Sequence, residues 1–187
     1  MMSPARSHTF RIPKKKYDEI EKKVVDLYIE QNICNIPIDP FQIIQNRGYI
    51  LVPFSKIGDA VRPKSKCDEN DAFSFFSPAD NTFIIAYDDE KPLLRLRFTL
   101  MHEIGHIDLG HKGESDLARR MADYYAGYAL APSPLIDRFA SDDVDSIRNV
   151  FWVSKCCAEV CCNRYKNRVL YGGGDLKEYE ATLLGLF

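Results

Sequence analysis

Long apolar runs are missing from this 187-residue chain, and none reaches the roughly 18 residues that a membrane-crossing helix needs. The opening Met1-Met2-Ser3-Pro4-Ala5-Arg6 lacks the apolar core of a signal peptide, so a cytoplasmic protein with no membrane attachment is expected. An excess of one charge is missing too. The 25 Lys and Arg against 27 Asp and Glu leave a net charge of −2, which argues against a broad nucleic-acid-binding surface. The local basic run Arg6, Arg11, Lys14, Lys15 and Lys16 reads as a solvated tail and first helical turn. A C-x-x-C knuckle is absent although there are six cysteines, which removes the usual thiolate zinc spacing. Four of them, Cys156, Cys157, Cys161 and Cys162, fall on one helical stretch as small packing groups; Cys157 and Cys161 share a face, so a thiolate metal site is the alternative. Repeats and low-complexity tracts are also lacking. What remains, 45% hydrophobic and 28% charged residues, suits one ordinary soluble domain or a domain with a small appendage.

Helical periodicity opens the chain, with Tyr17, Ile20, Val24, Leu27 and Tyr28 recurring on one face between Lys14 and Gln31. A short second helix is expected from Asp39-Pro40, a cap followed by a first-turn proline, to Gly48. Strands are expected at Tyr49 to Phe54, Ala72 to Ser77 and Thr82 to Tyr87, the last two joined by the turn residues Pro78-Ala79-Asp80-Asn81. Residues 57–71, rich in charge and containing Gly58 and Pro63, read as an exposed loop. A third helix after Pro92 runs to Leu109 or Gly110, and a fourth runs from Ser115 to Leu130, stopped by Ala131-Pro132-Ser133-Pro134. Further helices fit 142–151 and 154–170, Gly172-Gly173-Gly174 breaks the chain, and 175–187 can add a last helix. The pair 142–151 and 154–170 has the outline of a helix-turn-helix, but with Lys155, Arg164, Lys166 and Arg168 as its basic residues DNA binding is not expected.

Three of the four histidines lie between His102 and His111, and His102-Glu103-Ile104-Gly105-His106 is an H-E-x-x-H sequence. Residues four apart on a helix share a face, so two imidazoles can meet one zinc ion while Glu103, turned by one residue, reaches an attacking water as general base. Gly105 removes a side chain beside this centre and lets another backbone approach. The plainer alternative is that His102 and His106 are core histidines satisfied by Glu103.

The run Arg95-Leu96-Arg97-Phe98-Thr99-Leu100-Met101-His102-Glu103-Ile104-Gly105-His106, followed by Ala122-Asp123-Tyr124-Tyr125-Ala126 and Leu130-Ala131-Pro132, resembles the ImmA/IrrE family of zinc metallopeptidases. The likeness extends to the opening helix, Pro37-Ile38-Asp39-Pro40-Phe41 and the small sheet. The three strands can form a small antiparallel sheet that helices must cover, and with the resemblance the expected fold is α+β: a mainly helical zincin-like domain over 1–132, and a C-terminal helical extension, 133–187, packed on it. The resemblance also implies a cytoplasmic, gluzincin-like zinc endopeptidase of a phage or mobile element whose substrate is a helix-turn-helix repressor. Carried over, His102 and His106 are metal ligands, Glu103 is the catalytic base, and Asp123 holds an imidazole by hydrogen bond.

The chain departs from this pattern at the third ligand. The family places a glutamate four residues before the position of Asp123, and here that residue is Arg119, whose guanidinium has no lone pair to give a metal. Asp123 can reach back as a substitute ligand, better than Asp116 can reach forward because side chains lean toward the helix N-terminus. His111 and Glu114 are weaker substitutes. The completeness of the zinc site is therefore open, and the chain supports two functions: a zinc-dependent endopeptidase, or an impaired relative that captures a repressor or other partner without cutting it.

Overall fold

The computed structural model describes residues 12–57, 71–113, 115–171 and 176–187. The greater part of the expected 57–71 loop, Arg6, Arg11, Glu114 and the Gly172-Gly174 break lie outside the described residues.

The first helix, α1 (Lys14–Glu30), follows Pro13 and turns Ile20, Val24, Leu27 and Tyr28 inward. Tyr28 anchors it across 101 residues of sequence by donating its hydroxyl to the Ala129 carbonyl at 2.8 Å. Helix α2 (Pro40–Asn46) begins where the Asp39 carboxylate accepts from the Phe41 N–H at 3.0 Å. It ends before Gly48, whose φ of +66° is left-handed and costs a glycine little.

The sheet holds β1 (Ile50–Pro53), β2 (Ala72–Ser77) and β3 (Thr82–Tyr87) in the order β1-β3-β2. The hairpin pairs β2 and β3 antiparallel, with Ala72 opposite Tyr87 and Ser74 opposite Ile85. Strand β1 lies on the other side of β3 and runs parallel to it, with Ile50 opposite Ile84. The sheet is thus mixed, which corrects the expected antiparallel sheet. Alternation and β-propensity mark a strand without marking its direction. Pro53 and Ala72 both lie level with Tyr87, so β1 ends and β2 begins at one end of the sheet, and β3, running back from the other end, takes the place between them parallel to β1.

Helix α3 (Leu93–Asp108) packs on β2 and β3 and, most extensively, on α4 (Asp116–Leu130). The α4 face toward the interior carries Ala118, Ala122, Ala126 and Ala129, small residues that let the two helices come close. Ser115 caps α4, its hydroxyl accepting from the Ala118 N–H at 3.1 Å. Residues 131–134 stop α4 and, beyond the expectation of a simple stop, also start α5 (Ser133–Phe139): Pro132 is its cap and Pro134 sits in its first turn, where a missing N–H is harmless.

Helices α6 (Val144–Phe151), α7 (Lys155–Tyr171) and α8 (Glu178–Gly185) complete the described chain. One core cluster runs through all these parts, from Ile20, Tyr28 and Ile85 through Leu100 and Tyr125 to Leu135, Phe151 and Leu183. Glu180 on α8 is buried and accepts two hydrogen bonds from Arg168, at 2.9 and 3.0 Å. Cys157, Cys161 and Cys162 are buried in the α7 interface, and the Cys157 and Cys161 sulfurs are 4.0 Å apart as free thiols. No helix among the described residues is long and apolar enough to cross a membrane.

Candidate active site

Helical pitch brings His102 and His106 to one side of α3, where their Nε2 atoms are 3.0 Å apart. Each ring is held from behind. The Nδ1 of His102 is 2.9 Å from Asp123 Oδ1 on α4, and the Nδ1 of His106 is 3.1 Å from His111 Nδ1 beyond the end of α3. A carboxylate only accepts, so the His102 Nδ1 carries its proton toward Asp123 and its Nε2 presents a lone pair. The tautomers that satisfy every contact have His111 donating to His106, His106 to His102, and His102 to Asp123.

His106 is held neutral in this arrangement. Burial, then the neighbouring His102 and His111, lower its pKa to about 4, with Asp123 pulling the other way and Arg119 adding a small push downward. His111 is lowered as well, first by burial and then by His102.

Glu103 is buried, and its Oε2 accepts a 2.6 Å hydrogen bond from the hydroxyl of Ser74 on β2. It lines two cavities that meet at α3. One, about 310 Å³, has a charged wall that includes Asp71, Arg95, Arg119 and Asp123 beside both histidines. The other, about 570 Å³, is walled by phenylalanines of β2 and β3 and shares Glu103 and His106 with the first.

Zinc chemistry can be tested against these donors. Two imidazole nitrogens facing each other, each ring oriented by an outer partner, are suited to share one ion, and an exchange of tautomers is all that frees both lone pairs. The third donor is another matter. Arg119 stands in the wall at that point and offers no lone pair. Asp123 is engaged with His102, His111 faces the outer nitrogen of His106, and Asp116 is exposed at the start of α4. Among the described residues no group of three or more His, Cys, Asp or Glu side chains is placed to hold a metal ion. The imidazole pair fits; a complete set of three protein donors is not present in the described residues.

Two supports have no clear mark in the sequence pattern. Ser74 sits among phenylalanines in Ala72-Phe73-Ser74-Phe75-Phe76-Ser77, and its register opposite the fully buried Ile85 shows that it faces α3. A polar residue on the inward phase of an apolar strand was the available signal. Behind the helix, Asp108 joins Tyr125, which donates to it at 2.5 Å, to Arg47, which donates at 2.6 Å and also holds Glu30. No local pattern links residues 47, 108 and 125.

A family model for peptidases of the M78 kind, described as the IrrE N-terminal-like domain, matches residues 59–164, more than half of the chain. The match spans the β2–β3 hairpin, α3 and α4, and so contains both histidines, Glu103, Ser74, Arg119 and Asp123. No curated protein matches the chain at a significant level.

Proposed function

The chain belongs to the IrrE N-terminal-like family of zinc metallopeptidases, and from that premise we propose that it is a zinc-dependent endopeptidase acting on a regulatory protein. The observation that carries this reading is the pair of Nε2 atoms 3.0 Å apart beside the buried Glu103 carboxylate in one cavity. His102 and His106 would hold the metal. When bound, zinc supplies a Lewis acid for the peptide carbonyl. The remaining chemistry belongs to the chain: Glu103 takes the proton of the attacking water and returns it to the leaving amine, while Ser74 holds one carboxylate oxygen in place. Asp123 and His111 hold the two rings in register. The substrate we assign, a helix-turn-helix repressor of a phage or mobile element, rests on the resemblance carried by residues 95–106, 122–126 and 130–132.

A second reading rests on Arg119. With this cation in the cavity wall and no three-donor group among the described residues, the protein would capture its partner without cutting it. One pair of measurements separates the two. Glu103→Gln should reduce cleavage of a proteome-derived peptide mixture by about 10² to 10⁴ while the fold is retained. Equal activity in the variant refutes the peptidase. Metal content near zero in purified protein, with partner binding unaffected by the substitution, would establish capture without cleavage.

A further inference from the structure

We infer that Arg119 anchors a subsite for a carboxylate in the charged cavity, and that this carboxylate, brought by the bound partner, completes a metal site begun by His102 and His106. The subsite rests on the reading of the histidine pair as a metal site, and it turns the missing third donor into a reason for taking an acidic group. The cavity, about 310 Å³, lies at the small end of the roughly 300–1,000 Å³ of ordinary ligand sites, a volume suited to one side chain. Arg119 comes one turn before Asp123 on α4, and Asp123 touches His102. The guanidinium is therefore a neighbour of the imidazole pair, and its charge is felt at His106. A guanidinium carries five N–H donors in a planar fork that matches a carboxylate, and it can serve more than one partner at a time.

Charge decides when the subsite fills. Each carboxylate in the wall already has a donor on it: Asp71 has Arg95 and Lys91, Asp123 has His102, and Glu103 has Ser74. These three carboxylates against the guanidinium groups of Arg95 and Arg119 leave the wall with a negative charge in excess, so an anion gains little by entering alone. A doubly charged cation between the histidines reverses that sign. Cation and carboxylate therefore favour each other's binding, by the same factor in both directions. A carboxylate that gives one oxygen to the Arg119 N–H groups and turns the other toward the imidazoles supplies the third donor that the described residues do not bring together. Ala72 and Phe98, in the same wall, offer an apolar surface to the methylenes of an acidic side chain.

The test uses the unsubstituted full chain, zinc ion and three blocked amino acids at matched ionic strength. N-acetylglutamate N-methylamide offers a side-chain carboxylate, N-acetylglutamine offers a chain-end carboxylate, and N-acetylglutamine N-methylamide is neutral. Zinc affinity is read by competition with a chromophoric chelator, with the zinc held by each probe alone subtracted. A carboxylate probe should raise it about 5- to 150-fold over the neutral probe, and zinc should tighten the binding of that probe by the same factor; which of the two carboxylates acts tells a partner's side chain from its C-terminus. Arg119→Gln should abolish the difference between probes, Arg119→Lys should shrink it because the charge stays and the fork is lost, and Arg120→Gln, at an exposed neighbour outside the wall, should keep it. Zinc bound equally well with all three probes overturns the subsite and leaves the histidine pair as a metal site. A difference that survives Arg119→Gln also overturns it, since the carboxylate then needs the metal alone. No zinc binding with any probe overturns the subsite and the zinc peptidase reading together.

Discussion

Gly105→Ala is the sharpest probe of how the site is built, because two physical effects of known sign compete at that position. Replacing a helical glycine by alanine ordinarily stabilises a helix by about 1 kcal/mol. Here the added methyl would meet Tyr125 Cδ1 and Cγ at 3.0 Å and Tyr125 Cβ at 3.1 Å. Whether the tyrosine can retreat decides the outcome, and the structure ties it down. It is 0% exposed, and its hydroxyl donates to Asp108 Oδ2 at 2.5 Å, while Asp108 Oδ1 accepts from Arg47. Overpacking against a side chain that cannot move costs about 1 to 3 kcal/mol, which exceeds the helix-propensity gain over most of that range. Set against the gain of about 1 kcal/mol, the net expectation is a loss of up to about 2 kcal/mol, with α3 pushed away from α4 and the His102–Asp123 hydrogen bond stretched. Urea unfolding of both proteins with chelator present reads the first effect, and zinc titration of the folded proteins reads the second. A Gly105→Ala protein that is more stable by about 1 kcal/mol, with unchanged zinc affinity, would show that the helices are free to part and that the close approach is not a constraint.

Other substitutions address the donors. Asp123→Ala frees the His102 ring and should weaken metal binding by about 10- to 100-fold with little change in the unfolding midpoint of the metal-free protein; unchanged affinity would mean that another group orients the ring. Arg119→Glu puts a carboxylate in the cavity wall that holds both histidines, and should raise zinc per chain as measured by elemental analysis; no change would show that the coordination is already complete. For metal-free protein the pH dependence has a definite sign. The His106 pKa is lowered to about 4 from an ordinary value near 6.5, and His111 is lowered too, so the unfolded chain binds more protons in that interval. Stability should therefore fall as pH drops from about 6.5 toward 4, in steps that His106→Gln reduces; a flat profile over that interval would show that His106 titrates normally.

Local chemistry made several parts of this molecule readable in advance. The period of α1, the Asp39-Pro40 start of α2, the start of α3 after Pro92 and the start of α4 at Ser115 depend on residues within a turn or two of one another, and they lie where the spacing puts them. Helix α5 was hidden because Pro132 and Pro134 serve equally well to end one helix and to begin another; the burial of Leu135 and Ile136 in the shared core settles it in favour of a new helix. The direction of β1 was hidden because alternation is the same read from either end.

The sequence by itself determined that His102 and His106 share one side of a helix with Glu103 one residue around it, since about 3.6 residues per turn is a property of the backbone alone. It also determined that Arg119, a side chain without a lone pair, lies four residues before Asp123 on the same side of α4. The resemblance implied that Asp123 holds an imidazole; only the tertiary structure decided which ring that is and which groups meet the others. Asp123 reaches His102 across 21 residues, Ser74 reaches Glu103 across 29, and Tyr125, Asp108 and Arg47 join behind the helix from distant points in the chain. Those contacts come from the packing of α3 between α4 and the sheet, and no periodicity within a segment encodes the distance from one segment to the next.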